Sequence, residues 1–241
     1  LEFRRVLFRS IPVRTVPARV ESLSQVAPDV MVLDLKLPGS EAFQYLPGQY
    51  VEVLLAGGKR RAFSLATAPG ASGLQLHIRR VPGGRFTGHV FDGLKVRDLL
   101  RLNGPHGSFF LREDSARPMV LVAGGTGFAP IQAIIEYALQ RGLRRPMYLY
   151  WGGRRRSDLY FDALVHGWVA THSHLRYVPV LSEPGAGDEW RGRTGLVHAA
   201  VMQDFPDLSS HQVYVCGAPV MVAAARRDFV GQCRLPEEEF I

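Results

Sequence analysis

A glycine-rich segment in the middle of the chain has the residue types and spacing that suit a diphosphate. The segment AGGTGFAPI, Ala123–Ile131, follows the continuous apolar run Met119–Ala123 and precedes apolar residues at helical spacing. Glycines let the backbone turn tightly and approach a ligand without a Cβ in the way, and N–H groups at a helix N-terminus attract phosphate. Pro130 stands where the dinucleotide-binding fingerprint has its third glycine. A tight turn without a ligand is the alternative, but the flanking strand and helix favour a nucleotide site.

A second segment, RRAFSLATAP at Arg60–Pro69, closes a predicted strand and contains the tetrapeptide R-x-F-S. Arg61 offers a guanidinium that can bond two phosphate oxygens at once, while Phe63 and Ser64 add an aromatic ring and a hydroxyl. The tetrapeptide alone is a weak signal, because an ordinary strand with one arginine could contain it. Further distinctive segments are VPGGRFTGHVF (81–91), GPHGSFFL (104–111), YWGGRRRSDLYF (150–161) and YVCGAPVMV (214–222).

Taken in order, these motifs resemble those of the ferredoxin–NADP reductase superfamily over residues 61–222. Within it, the chain is most similar to the FAD/NAD(P)H reductase modules of the CDP-6-deoxyglucoseene reductases and of phenol hydroxylase-type oxygenase reductase components. The resemblance implies an FAD-dependent NAD(P)H oxidoreductase. A hydride would pass from the nicotinamide to flavin N5, and the electrons would pass on to a [2Fe–2S] ferredoxin domain or to an oxygenase or dehydratase partner. Because the cofactors carry this chemistry, no protein nucleophile or general base is needed.

The resemblance also implies roles for individual residues. The catalytic candidates are Ser64, beside flavin N5, and Cys216, beside the site of hydride transfer. Outside its C-G-x-P context, Cys216 would be interpreted as a buried, inert thiol. The residues implied for FAD are Arg61, Phe63, Ser64, His77, Ile78, Gly83, Gly84, Arg85, Phe86 and Thr87. Those implied for NADH or NADPH are Gly125, Thr126, Gly127, Pro130, Gly152, Arg154, Asp158, Cys216, Gly217, Pro219 and Met221.

The choice between NADH and NADPH stays open at the level of sequence. An NAD site often has an acidic residue about 20 positions after the glycines. Here that zone, Leu149–Gly153, has no acid and is followed by Arg154–Arg156. The arginines favour a 2′-phosphate, yet the family carries a G-x-R in members of either preference. Two other functions also stay open: a stand-alone NAD(P)H:flavin reductase that releases reduced flavin, and a non-catalytic nucleotide-binding sensor.

Two segments with different periodicity must position these residues. Residues 16–114 contain short strands separated by turn signals, such as Val30–Leu37 and Leu74–Arg80, with a short helix after Gly83–Gly84. This pattern, together with the resemblance, predicts an antiparallel Greek-key β-barrel that binds FAD. Residues 118–241 alternate strands and helices, among them a helix from about Asp158 and a strand at Leu175–Leu181. This alternation predicts an α/β parallel-sheet domain that binds NAD(P). The polar segment Glu113–Arg117 is the predicted boundary between the two domains.

Composition limits the remaining possibilities. The chain has 241 residues, a formal charge of +7 and two cysteines, too few for a four-cysteine cluster. A [2Fe–2S] centre is therefore expected only in a missing upstream domain or in a partner. We predict no metal site: His172–His174 (HSH) is interpreted as a loop before a strand. No apolar run approaches the ~20 residues of a membrane span, no motif predicts nucleic-acid binding, and the low cysteine content favours the cytoplasm.

The ends of the chain carry two further expectations. LEFRRVLFRS, residues 1–10, lacks the apolar core of a signal peptide. One back-translation of it resembles a sequencing-library adapter, so we interpret it as translated adapter. Residues 11–15 are expected to be the remnant of a linker from an upstream ferredoxin domain. The C-terminus, PEEEFI, is expected to be truncated, and Phe240 is given no role beside the flavin.

Overall fold

The computed structural model describes residues 11–39 and 43–241. The predicted adapter segment, residues 1–10, lies outside the described residues. The first half of the chain forms a six-stranded sheet and one helix. These elements are β1 (Arg14–Ala27), β2 (Val30–Lys36), β3 (Tyr50–Leu54), β4 (Arg60–Ser64), β5 (Leu74–Arg79), α1 (Arg85–Asp92) and β6 (Leu99–His106).

The first sheet is an antiparallel barrel. Its strand order is β4-β3-β6-β1-β2-β5, and an antiparallel bridge between Leu65 and Leu76 joins the chain beyond β4 to β5. Because β6 pairs with β1, which lies far from it in the chain, the topology is not a simple meander. Apolar side chains that alternate along the strands fill the interior, among them Val51, Leu76 and Leu102, each fully buried. The predicted fold of this half is confirmed.

The first strand begins earlier than the sequence predicted. Arg14 and Thr15, expected at the end of a linker, pair with Gly104 and Asn103 of β6. Val16 opens a run in which every second side chain is buried. Pairing with β6 satisfies the backbone groups of the two residues before it, which a barrel beginning at residue 16 would have left unpaired. The barrel therefore includes the last two residues of the predicted linker.

The second half is a five-stranded parallel sheet with helices on both faces, as predicted. Its strand order is β10-β9-β8-β7-β11. Strand β7 is buried on both faces, as expected for a parallel sheet. The elements are β7 (Met119–Gly124), α2 (Phe128–Gln140), β8 (Met147–Gly153), α3 (Asp162–Thr171), β9 (Leu175–Leu181), β10 (Arg193–Thr194), α4 (Val197–Asp204), β11 (Gln212–Cys216) and α5 (Pro219–Gln232).

One helix begins later than the sequence predicted. The helix expected from about Asp158 starts at Asp162, after a 3₁₀ turn. The Asp158 carboxylate explains the delay, because its Oδ2 accepts hydrogen bonds from the backbone N–H groups of Arg154 and Arg155, at 2.7 and 3.1 Å. A short acidic side chain that bonds nearby backbone in this way favours a turn over a continuing helix.

The two domains meet along one face of β5. Its apolar residues point into the barrel, whereas Gln75 and His77 face the parallel-sheet domain. His77 Nδ1 lies 2.9 Å from the Tyr160 hydroxyl, and His77 Nε2 lies 3.0 Å from Gln75 Oε1. Gln132 of α2 donates to the same Gln75 oxygen at 3.3 Å. These bonds define the relative position of the two sheets. No helix among the described residues is long and apolar enough to cross a membrane.

The barrel core yields a test of the fold. Leu102 is fully buried, whereas Leu99 on the same strand is 71% exposed. We expect Leu102→Ala to lower the free energy of unfolding by about 2–5 kcal/mol, because it removes buried methyl groups and leaves a cavity. The matched control Leu99→Ala should change it by no more than about 0.5 kcal/mol. Denaturant titration measures both, and equal effects of the two substitutions would contradict the assignment of faces on β6.

Candidate functional site

A cleft of about 980 Å³ lies where the carboxyl ends of the parallel strands face the barrel. This volume is at the upper end of the range for ligand sites in proteins. The cleft brings together most of the predicted site residues from both domains. They are Arg61, Phe63, Ser64, His77, Gly84, Phe86, Thr87, Gly125, Thr126, Gly127, Gly152, Arg154, Asp158, Cys216, Gly217 and Met221.

Other predicted residues do not line the cleft. Ile78 is fully buried in the barrel core, so its side chain is unavailable to a ligand. Pro130 is buried within α2, and Pro219 opens α5. Gly83 and Arg85 flank the lining residue Gly84 without being part of the wall. The Ile78 side chain therefore does not reach the cleft. The roles given to the other four residues stay predictions.

The barrel side of the cleft has polar groups that the protein itself does not use. Arg61 is exposed and donates only to the Arg60 carbonyl, at 2.8 Å; no carboxylate among the described residues pairs with it. The Ser64 hydroxyl has no hydrogen-bond partner among the residues that the structure describes. Next to them, the rings of Phe63 and Phe86 lie 5.6 Å apart. The Arg61 guanidinium, the Ser64 hydroxyl and the Phe63 ring thus line the same side of the cleft.

The turn before α1 is built by Thr87. Its hydroxyl accepts a hydrogen bond from the Val81 N–H at 3.1 Å and lies 3.3 Å from the Gly84 carbonyl. A Cβ at Gly84 would lie 2.6 Å from that hydroxyl oxygen, which excludes a larger residue there. No described side chain caps the N-terminus of α1, so its first N–H groups can bind an anion. The Thr87 hydroxyl shapes this turn, and the backbone offers the donors.

The glycine loop after β7 packs directly against the end of β11. A Cβ at Gly127 would lie 2.1 Å from the Cys216 carbonyl oxygen, and one at Gly217 would lie 3.1 Å from the Gly124 Cα. The first distance is shorter than real Cβ contacts and involves backbone, so glycine is required at Gly127. The second is tighter than most Cβ contacts, and a Cβ at Gly217 would also lie 2.6 Å from the Met221 methyl, which disfavours a larger residue there. The N-terminus of α2 has no side-chain cap among the described residues. The loop thus lines the cleft at an uncapped helix N-terminus, where N–H groups can bind an anion.

Cys216 ends β11 at the floor of the cleft. Burial raises the pKa of its thiol to about 11, since the charged form is disfavoured away from water. The thiol is therefore protonated at neutral pH and contributes bulk and polarisability without charge. This state is compatible with a residue beside a reacting ring, but it does not make Cys216 a nucleophile.

The barrel contributes one charged residue that the motifs did not single out. Arg79 of β5 lines the cleft, and its Nη2 donates to Asp158 Oδ1 at 3.0 Å. Its Nε lies 3.3 Å from Asp29 Oδ2, and its guanidinium lies 3.2 Å from where a Cβ on Gly125 would be. Alternation from His77 along the strand places Arg79 on the same face, which is the signal that could have identified it.

The arginine run after β8 divides into two parts. Arg155 lies 3.8 Å from the Asp188 carboxylate, and Arg156 donates to the Asp188 carbonyl at 3.3 Å. Arg154 alone lines the cleft. Other lining residues that sequence reasoning missed belong to loops distant in the chain. They include Ser182, Leu196, His198 and Val220.

Comparison with known proteins agrees with this division of the chain. The family model of the oxidoreductase FAD-binding domain matches residues 17–111. That of the oxidoreductase NAD-binding domain matches residues 121–227. Together the two matches include both walls of the cleft.

Individual relatives cover nearly all of the chain. The CDP-6-deoxy-L-threo-D-glycero-4-hexulose-3-dehydrase reductase of Yersinia pseudotuberculosis is 42% identical over 228 residues, which are 94% of this chain and 68% of that protein. An NAD(P)H-flavin reductase of Aliivibrio fischeri is 32% identical, over 93% of this chain and 95% of that protein. The solved structure of the Amycolatopsis cytochrome P450 reductase GcoB superposes with a TM-score of 0.88 at 36% identity, covering 96% of this chain and 69% of that chain.

The resemblance inferred from the motifs is confirmed by these matches. An FAD-binding domain and an NAD-binding domain follow one another in the family order and share one cleft. The chain belongs to the ferredoxin–NADP reductase superfamily, as an NAD(P)H-dependent flavoprotein reductase.

Proposed function

We propose that this chain accepts a hydride from NADH or NADPH onto bound FAD and passes the electrons to a [2Fe–2S] domain or to an oxygenase or dehydratase partner. One observation carries the proposal: a single cleft joins Arg61 and Ser64 of the barrel to the glycine loop and Cys216 of the second domain. Arg61 pairs with no carboxylate among the described residues, so its charge is available to a ligand. Hydride transfer needs two rings in contact, and a site built from both domains can hold them so. The names of relatives as dehydrase and P450 reductases support the electron-transfer step.

The residues fit the two cofactors by their chemistry. Flavin and nicotinamide supply the redox chemistry when bound, and the protein binds and orients them. Arg61 and the uncapped N-terminus of α1 would hold the FAD diphosphate, with Phe63 against the ring and Ser64 near N5. The glycine loop and the N-terminus of α2 would hold the diphosphate of the nicotinamide nucleotide. Cys216 would limit the space beside the hydride-transfer site.

The proposal extends to the domain bounds and the cellular location. We assign the FAD barrel to residues 16–114 together with Arg14 and Thr15 of β1, and the NAD(P) domain to residues 118–241. The family matches at 17–111 and 121–227 support these limits. We also propose a cytoplasmic location, since Cys216 and Cys233 are both unpaired and thiols stay reduced there.

A second candidate is a stand-alone NAD(P)H:flavin reductase. It is favoured by the similarity to the Aliivibrio fischeri protein, which this chain covers almost completely. The two functions differ in how tightly the flavin is held. The turn at Gly84 and α1, which suits an FAD diphosphate, supports a retained cofactor. Release of reduced flavin into solution would favour the second candidate.

The proposed function is tested by reconstitution. We expect the purified protein to retain FAD through gel filtration, with its yellow colour bleached by anaerobic addition of NADH or NADPH. Separate titrations with the two nucleotides would determine which one is preferred. A protein that binds no FAD would refute the proposal, and FAD that stays oxidised with both nucleotides would favour a sensor.

Arg61 provides a test of the FAD diphosphate site. We expect Arg61→Ala to weaken FAD binding about 10- to 100-fold, as for the loss of a hydrogen bond to a charged group. Arg60→Ala is the matched control, because Arg60 lies on the same strand but pairs with Glu52 at 2.9 Å and does not line the cleft. Fluorescence titration of the apoprotein with FAD measures both constants. Unchanged affinity in Arg61→Ala would mean that its proposed role is wrong.

Cys216 provides a separate test of the hydride-transfer site. We expect Cys216→Ala to slow flavin reduction in stopped-flow measurements while FAD affinity stays near the wild-type value. The neutral thiol contributes shape at this position, so its loss loosens the position of the nicotinamide rather than that of FAD. Cys233→Ala, which alters a buried thiol at the end of α5, should leave the reduction rate unchanged. The opposite pattern, weaker FAD binding with a normal rate, would contradict the placement of Cys216.

A further inference from the structure

One fully buried tryptophan contacts the glycine loop from inside the second domain. Trp151 lies on β8, where it pairs with Ala123 of β7, the residue just before the loop. Its indole Nε1 donates to the Gly125 carbonyl oxygen at 3.0 Å. Its ring stacks on Phe128, the first residue of α2, with the ring centroids 3.9 Å apart and the planes 9° apart. A single side chain therefore contacts the loop near its start and the helix that follows it.

The direction of the Gly125 carbonyl also determines the direction of a backbone donor. The peptide bond between Gly125 and Thr126 is planar and trans, so its carbonyl and its N–H point in opposite directions. The carbonyl points to Trp151 in the core. The Thr126 N–H therefore points away from that part of the core, and Thr126 is one of the residues that line the cleft. A hydrogen bond inside the domain thus sets the orientation of a donor at the cleft.

Without the bond from Trp151, the Gly125 peptide would be weakly restrained. Gly125 has a φ of +53°, and glycine adopts positive and negative φ about equally readily. The Phe128 N–H also donates to the Gly125 carbonyl, but it is shared with the Thr126 carbonyl. A donor divided between two acceptors restrains each of them less. The bond from Trp151 is undivided and lies in the core, where a hydrogen bond is electrostatically stronger than in water.

We propose that Trp151 is a positioning residue for the nicotinamide nucleotide: it orients the Gly125–Thr126 peptide so that the Thr126 N–H donates to the bound nucleotide. The inference rests on the proposed function, because it concerns the same glycine loop. Trp151 itself does not touch the nucleotide, since its ring is buried against Phe128 and Tyr160 and does not line the cleft. A loop that is already ordered costs less to immobilise on binding, which raises affinity.

The substitution Trp151→Phe tests the role of the indole N–H, because it removes the donor and keeps an aromatic ring against Phe128. In anaerobic flavin reduction by the preferred nucleotide, NADH or NADPH, we expect the apparent KM to rise about three- to tenfold, as for one lost hydrogen bond. The limiting rate of reduction should stay within about twofold of the wild-type rate, because the lost bond aids binding equally before and during hydride transfer. The FAD content should be unchanged, because the proposed FAD groups lie on the barrel.

Trp168→Phe is the matched control. Trp168 of α3 also faces Phe128, with the ring centroids 6.3 Å apart, but its indole makes no hydrogen bond to the glycine loop among the described residues. We expect its KM and its limiting rate to match those of the wild-type protein, and denaturant titration verifies that both variants are folded. If Trp151→Phe lowers the limiting rate or the FAD content while the KM stays the same, Trp151 only supports the fold and the proposal is wrong.

A measurement on the wild-type protein tests the proposal without any substitution. In amide NMR spectra of the FAD-bound protein, saturating NAD⁺ or NADP⁺ should shift the Thr126 amide proton downfield, as expected for a new hydrogen bond. The Trp151 indole N–H should exchange slowly with solvent both with and without the nucleotide. An unshifted Thr126 amide in the saturated complex would refute the proposal. If neither nucleotide reduces the flavin, the proposed function itself fails, so the two failures are distinguishable.

Discussion

The position of His77 between the two domains is the constraint on which the cleft depends. Burial lowers the pKa of its imidazole to about 3, so the ring is neutral and can both donate and accept. Because Gln75 Oε1 can only accept, Nε2 carries the proton, and Nδ1 accepts from the Tyr160 hydroxyl. The ring also packs edge-on against Tyr160 and Phe161. A single protonation state thus holds the barrel and the parallel sheet in one orientation. His77 was predicted to bind FAD; it does line the cleft, but both of its nitrogens are already engaged within the protein.

Once the two domains are oriented, the glycines of the cleft matter as much as its side chains, because they let two loops come into contact. The loops after β7 and β11 approach so closely that Gly127 lies against the Cys216 carbonyl. Neighbouring strands of a parallel sheet end at the same edge, where ligands of α/β proteins bind. Arg61, whose side chain bonds only to the Arg60 carbonyl, and Ser64, whose hydroxyl has no partner among the described residues, face the same edge from the barrel. The glycine loop packed on the end of β11 forms one side of the site, and Arg61 and Ser64 form the other. The site is therefore open to two ligands at once.

Local sequence pattern predicted the regular elements and the loops of the site with good accuracy. Alternation identified strands such as β2 and β5, and the predicted β9, Leu175–Leu181, agrees with the structure at both ends. Strand β10 has only two residues, too few for any period to be recognised. The later start of α3 depends on whether the Asp158 carboxylate bonds to backbone, which periodicity does not record. His198 was missed because its partner, Asp228, lies on another helix and only the packing of α4 against α5 brings them together.

Asp158 links two structural events that would otherwise be independent. One oxygen of its carboxylate accepts from the backbone of the loop that carries Arg154, and the other accepts from Arg79 of the barrel. Because both events use the Asp158 carboxylate, ordering of the loop favours docking of the domains. Docking favours ordering of the loop by the same amount of free energy. A partner that pulled the domains apart would also loosen the loop, and a ligand that ordered the loop would tighten the contact between domains. Through this one carboxylate, the order of the Arg154 loop and the contact between the two domains become coupled properties.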